Sequence, residues 1–203
     1  MAAGKIPRAD LSAFDARQIR NLNDATLNQR LGVIWGEVRE SPLAKRQLAA
    51  KYKAQLSWAV LARADKSQGR LVFNNTCAAC HTLYGEGGKI GPDITGGNRH
   101  RLDYLLDKVS DPSALIPADF RYSIAKLKDG RTLTGVVATQ TDRTTTLKTM
   151  TGPVTIAQSE IQSIEQSTLS LMPEGLFEAL TADQVRDLVA YLMDITQAPL
   201  PGK

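Results

Sequence analysis

Five consecutive residues, Cys77-Ala78-Ala79-Cys80-His81, hold both cysteines of this 203-residue chain and one of its two histidines. A Cys-x-x-Cys-His run has a specific chemical use, covalent attachment of c-type haem. On a helical turn Cys77 and His81 stand four residues apart and share a face. Two thioethers can then fix a porphyrin edge while the imidazole reaches the iron. Two other chemistries use parts of the same run. A redox Cys-x-x-Cys is expected beside a βαβ pattern, whereas Gln68 to Thr76 reads as a short helix. A structural zinc site needs four ligands, and His100 is the only other nitrogen or sulfur donor of that kind in the chain.

The elements around the motif differ in kind. Asp65 or Ser67 can open a helix that runs through Gly69, Val72 and Phe73 to Cys77. The stretch from Thr82 to Gly97 is too glycine-rich for a helix or a regular strand and reads as a loop whose glycines let backbone lie close to a flat cofactor. Arg99 to Ser110 has Leu102, Leu105, Leu106 and Val109 at helical spacing, and Asp111-Pro112 ends it. Phe120 to Glu165 then alternates in strand fashion, with a hairpin signal at Asp129-Gly130 and turns at Thr141-Asp142 and Gly152-Pro153. Four or five short antiparallel strands are expected there. A last helix starts near Thr181, an N-cap with Gln184 completing a capping box, and carries Val185, Leu188, Val189, Tyr191 and Leu192 as its apolar stripe.

Before the motif the chain reads as a helical layer. Ile6 to Asp10 is an extended lead-in, Ser12 caps a helix to about Arg20, and Asn23 or Asp24 caps a second with Leu27, Leu31, Ile34, Trp35 and Val38 on its apolar side. Ser41 as N-cap and Pro42 at N1 begin a third. Residues 1–67 hold 12 Lys/Arg against 6 Asp/Glu, a balance of +6, while residues 68–203 hold 13 against 15, a balance of −2. The basic residues are spread through amphipathic helices with no Lys/Arg cluster and no nucleic-acid motif, so a solvated face or a docking surface for a neighbouring domain is expected and nucleic acid is not. No apolar run approaches the length of a membrane span. Met1 to Pro7 has no apolar core and is no signal peptide. Haem attachment to this motif in bacteria is expected outside the cytoplasm, so the expectation is a piece of a longer exported, for instance periplasmic, protein.

The order Gly69-x-x-x-Phe73, Cys77-x-x-Cys80-His81, Gly91-Pro92-Asp93, Met172-Pro173 and a terminal helix ending Val189-Ala190-Tyr191-Leu192 resembles the class I cytochrome c family. More narrowly it resembles the C-terminal haem-binding domain of large exported proteins of planctomycetes and verrucomicrobia. The resemblance implies a mainly α, cytochrome c-like haem domain with an inserted antiparallel β segment and an N-terminal helical extension. The implied boundaries are an extension at 1–65 and a cytochrome domain at 66–198, with its haem core at 66–118 and 169–196 and the insertion at 119–168.

Carried over by position, the resemblance implies one haem c held by Cys77 and Cys80, with His81 as proximal iron ligand. Pro92 would offer its carbonyl to the His81 ring N–H, and Met172 would be the distal iron ligand. Gly69, Phe73 and Tyr191 would belong to the packing of the first helix on the last. Met150 lies in a threonine-rich strand and Met193 continues a core stripe, whereas Met172 sits in a loop stiffened by Pro173. His100 is the rival distal ligand. The function implied is one-electron transfer without catalytic residues, between donor and acceptor proteins, with a dehydrogenase domain of the parent protein as one candidate partner. A haem enzyme or gas sensor with an open distal position, or an interaction module with structural haem, are the competing readings.

Overall fold

The computed structural model describes residues 11 and 13–202, the side chains of residues 13, 14 and 37 excepted. In chain order the elements are α1 (Ala13–Asn21), α2 (Ala25–Ile34), β1 (Gly36–Val38), α3 (Leu43–Gln55), α4 (Trp58–Leu61) and α5 (Lys66–Thr76). They continue as β2 (Thr82–Leu83), β3 (Glu86–Gly87), α6 (Leu102–Ser110), β4 (Leu115–Pro117), β5 (Tyr122–Leu127), β6 (Thr132–Gln140), β7 (Thr144–Thr149), β8 (Gly152–Ala157), β9 (Ile161–Gln166) and α7 (Ala182–Met193). With about 38% helix and 22% strand, helix outweighs strand but the sheet is substantial, so the expectation of a mainly α chain is met only in part. The expected lead-in from Ile6 to Asp10 and the Ser12 cap lie outside the described residues.

The chain divides into two compact units, one reaching Glu40 and resuming at Ser113–Met172, the other made of Ser41–Pro112 and Pro173–Lys203. Within the second unit Tyr52, Leu56 and Leu61 of the basic segment share one core with Phe73, Leu106 and Leu188.

In the first unit, Asp24 caps α2 by accepting a hydrogen bond from the Leu27 N–H at 2.9 Å. The helix ends at Ile34, not at Val38, because Gly36 turns the chain at φ 138° into β1, which pairs antiparallel with β4. A Cβ on Gly36 would lie 2.2 Å from the Ile116 carbonyl oxygen, so only glycine permits this approach. Trp35 is buried beside Leu31, Val38 and Leu115, and its indole N–H donates to the Leu11 carbonyl at 2.8 Å. The five-stranded sheet runs β8-β7-β6-β5-β9, a meander of four strands whose fifth returns to pair with β5. Its apolar face buries Ala125, Leu127, Leu147 and Ile156. Gly152 and Pro153, expected as a turn, instead open β8. That strand is an edge, where a proline costs no ladder bond.

In the second unit α5 packs along α7, and α3 along α6. Pro42 is the last residue before α3, and Lys45 and Arg46 N–H groups reach its carbonyl, so the helix starts one residue later than expected. Asp65 caps α5, accepting from the Ser67 and Gln68 N–H groups at 2.9 and 3.1 Å. α7 opens with the Thr181–Gln184 capping box. Gly69 sets the spacing of the α5–α7 pair, since a Cβ there would stand 2.1 Å from the Asp187 carbonyl oxygen. Phe73 meets Tyr191 with ring centroids 5.9 Å apart, in the tilted geometry that aromatic pairs favour. The buried Asp187 side chain accepts from the Asp65 N–H at 3.0 Å, tying the start of α5 to the middle of α7.

Candidate functional site

The end of α5 delivers the motif. Cys77 is the residue after the last helical turn, its N–H still bonded to the Phe73 carbonyl at 2.8 Å. The chain then makes one further turn, with the Cys80 and His81 N–H groups both reaching the Cys77 carbonyl, at 3.1 and 3.0 Å. Cys77 and His81 are therefore four residues apart on a closed turn, with both cysteines partly buried. Burial pushes the Cys77 thiol above its ordinary pKa; the Thr76 hydroxyl, 3.3 Å from the sulfur, partly offsets this, and the neighbouring Cys80 adds to it. Burial also raises the Cys80 thiol.

Pro92 stands 11 residues beyond His81, and its carbonyl oxygen lies 2.9 Å from His81 Nδ1. A carbonyl only accepts, so Nδ1 carries the proton and Nε2 is left with its lone pair to bind a metal. The structure thus gathers Cys77, Cys80, His81 and Pro92 in the second unit. Met172 belongs to the first unit as its last residue, half-buried, its N–H on the Ser170 hydroxyl at 3.1 Å. His100 is exposed, and its Nδ1 meets the Met193 carbonyl at 3.0 Å, which makes it a donor to the end of α7. Met193 packs against the core, and Met150 is an exposed turn residue outside the strand expected to hold it.

The glycine-rich stretch is not a plain loop. Thr82–Leu83 and Glu86–Gly87 pair as β2 and β3 around Tyr84 and Gly85, whose φ values of 52° and 82° form the tight hairpin turn that needs both positive. Its glycines serve the motif's own backbone. A Cβ on Gly88 would lie 2.1 Å from the Ala79 carbonyl oxygen, one on Gly87 2.2 Å from that of His81, and one on Gly91 3.0 Å from the imidazole. The Gly88 N–H bonds the Ala78 carbonyl at 2.7 Å and the Gly91 N–H that of Cys80 at 2.9 Å. These contacts give the glycines a reason that cofactor wrapping alone did not supply: they let residues 87–91 lie against the cysteine turn.

Reasoning from residue types missed the groups that fasten this loop. Tyr84 donates its hydroxyl to the Asp194 carbonyl at 2.7 Å, and its N–H reaches the Thr95 hydroxyl at 2.8 Å. Arg99 is buried, with its guanidinium over the Tyr84 ring at 5.1 Å from the centroid. The one signal available was a basic residue at the close of a glycine-rich stretch.

The cysteine pair, the histidine with a free Nε2 and the carbonyl behind it suit a covalently held haem with one protein ligand from this unit. No group of three or more His, Cys, Asp or Glu side chains stands together as a metal site among the described residues, so a zinc site of that kind finds no set of ligands there. A family model described as Cytochrome c matches residues 67–196. No curated protein matches the chain.

Proposed function

The chain belongs to the cytochrome c family, whose members carry covalent haem c and transfer electrons, and from that premise we propose which residues do the work and for whom. Cys77 and Cys80 form the thioethers, and His81 Nε2 binds the iron. The haem supplies reversible one-electron chemistry. The observation that carries this reading is the 2.9 Å contact between His81 Nδ1 and the Pro92 carbonyl. It fixes the tautomer and the ring plane and makes the imidazole a stronger donor.

Met172 is the proposed distal ligand. Its place in a loop beside Pro173, ahead of α7, supports this, as does the engagement of His100 with the end of α7. Histidine and methionine together fill both axial positions and favour a relatively high potential, which suits an electron acceptor with no turnover of its own. We place the cytochrome domain at 66–198, with the sheet of residues 119–168 inserted between its two haem-core stretches. The Met172-Pro173-Glu174-Gly175 sequence after that insertion supports the narrower resemblance to haem-binding domains of exported planctomycete and verrucomicrobial proteins. An exported location and a dehydrogenase donor follow from that resemblance. No described helix is long and apolar enough to cross a membrane.

The test is denaturing mass spectrometry of protein made in cells that attach haem. The expected result is the polypeptide mass plus one haem, lost when Cys77 and Cys80 are both replaced by alanine. A wild-type chain without the increment overturns the assignment.

A further inference from the structure

Arg99 is 6% exposed, and no carboxylate is among its partners in the described residues. A buried guanidinium is costly unless its N–H groups meet acceptors. Here its Nε donates to the Thr95 carbonyl at 2.9 Å, and one terminal nitrogen donates to the Leu192 carbonyl at 2.6 Å and to that of Asp194. Leu192 lies in the last turn of α7 and Asp194 is its C-cap. These carbonyls form the negative end of the helix dipole and lack partners within the helix, so the helix end supplies acceptors for the buried guanidinium.

The other end of the fork holds the loop. Thr95 is locked on three sides: its N–H bonds the Asp93 carboxylate at 2.8 Å, its hydroxyl accepts from Tyr84 N–H, and its carbonyl accepts from Arg99. The neighbouring Ile94 N–H bonds the Thr82 carbonyl at 2.9 Å. Three residues before Thr95, Pro92 presents its carbonyl to His81. The short run 92–99 is therefore anchored to the imidazole at one end and to α7 at the other. We propose that Arg99 is a positioning residue for His81: by clamping this run to the C-terminal end of α7 it holds the Pro92 carbonyl at the distance that orients the iron-binding ring.

Arginine is needed because one side chain must reach Thr95 and the helix end at once. Lysine at this position has one ammonium, which can satisfy the helix carbonyls or Thr95 but does not span both with a rigid fork. The inference rests on the proposed role of His81, so its test is read separately from haem attachment. The purified chain is compared with Arg99→Lys, Arg99→Met and Thr181→Ala, the last loosening α7 at its opposite end. Two quantities are followed: the thermal midpoint, and the solvent exchange of the His81 Nδ1 proton by nuclear magnetic resonance.

The expected result is a split. Arg99→Lys keeps most of the midpoint yet exchanges the His81 proton about tenfold faster, the scale of one net hydrogen bond. Thr181→Ala lowers the midpoint and leaves the exchange where it was. Should Arg99→Met fail to fold, the Lys variant alone decides. Equal exchange in Arg99→Lys and wild type, acceleration in Thr181→Ala that matches Arg99→Lys, or a wild type with no protected His81 proton overturns the proposal. A missing haem mass in the same sample overturns the function reading instead, and the exchange comparison still decides the role of Arg99.

Discussion

Replacing Gly69 by alanine tests whether the α5–α7 spacing is what places the cysteine turn. The new Cβ would stand 2.1 Å from the Asp187 carbonyl oxygen, 2.6 Å from its carbon and 2.8 Å from Tyr191 Cβ. All three atoms are held: two are helix backbone and the third is the first side-chain atom of a residue 1% exposed. Relief therefore requires the helices to part, at an overpacking cost of about 1–3 kcal/mol. Against this, alanine gains about 0.8–1 kcal/mol of helix propensity over glycine. The clash is with backbone, so the upper part of the cost range applies and the net loss is about 1–2 kcal/mol. For a unit of roughly 100 residues each kcal/mol moves the midpoint by about 4–8 °C. Gly32 is the control, since it lies inside α2 with nothing within 4 Å of an added Cβ. Gly32→Ala should stabilise by up to about 1 kcal/mol. The assay is thermal unfolding followed by circular dichroism. A Gly69→Ala variant as stable as Gly32→Ala would refute the claim that close backbone contact, not mere helix breaking, explains that glycine.

Met172→Ala should abolish the weak long-wavelength band that axial methionine gives an oxidised c-type haem, lower the potential and admit carbon monoxide, while the covalent haem stays. His100→Ala should leave that spectrum unchanged; the reverse pattern would assign the distal position to His100, and free carbon monoxide binding by the wild type would favour catalysis or gas sensing. Asp194 provides a pH test. Burial would push its carboxyl up, but the Lys66 ammonium at 2.6 Å and the Ile195 N–H at 2.8 Å outweigh it and hold the group below its ordinary value of 3.8. A lowered folded pKa means stability that is present above the unfolded value and lost as pH falls through the folded one. The urea midpoint should therefore fall on acidification below about pH 4, and Asp194→Asn should flatten that part of the curve; identical acid limbs would count against the ion pair.

How much of this fold is legible in the sequence depends on the range of the interactions that hold it. The cysteine turn, the Asp65 cap, the Thr181–Gln184 box and the Asp129-Gly130 hairpin are settled within a few residues, and each is legible as a local pattern. The helical spacing of Val38 from Leu31 and Ile34 persists through Gly36, yet there the chain turns and Val38 pairs with Leu115 some 77 residues on, a partner that local spacing does not show. The glycines of residues 87–91 were legible as a demand for close approach but not as to what approaches. Composition cannot distinguish a cofactor from the protein's own carbonyls. The long-range roles of Arg99 and Asp187 were invisible for the opposite reason: the partners that define them are backbone groups about 90 and 120 residues away, the Leu192 carbonyl and the Asp65 N–H, and a backbone group leaves no mark in a sequence.

The helix that contributes no candidate ligand turns out to hold the site. α7 meets α5 at Asp187, Gly69 and Tyr191, and so fixes the direction in which α5 releases Cys77. Its C-terminal end then receives Tyr84, Arg99 and His100, three side chains from the segment that carries Pro92. The two cysteines and the Pro92 carbonyl are thus referred to one rigid element, the cysteines through α5 and the carbonyl through the loop. An electron carrier benefits from such a frame, because a haem ligand set that is held by regular structure and locked side chains has little freedom to rearrange when the charge on iron changes. By this reasoning the capping box at Thr181 and the fork of Arg99 act on one helix from opposite ends. The cap governs mainly how stable α7 is, and the fork governs where the histidine ring points.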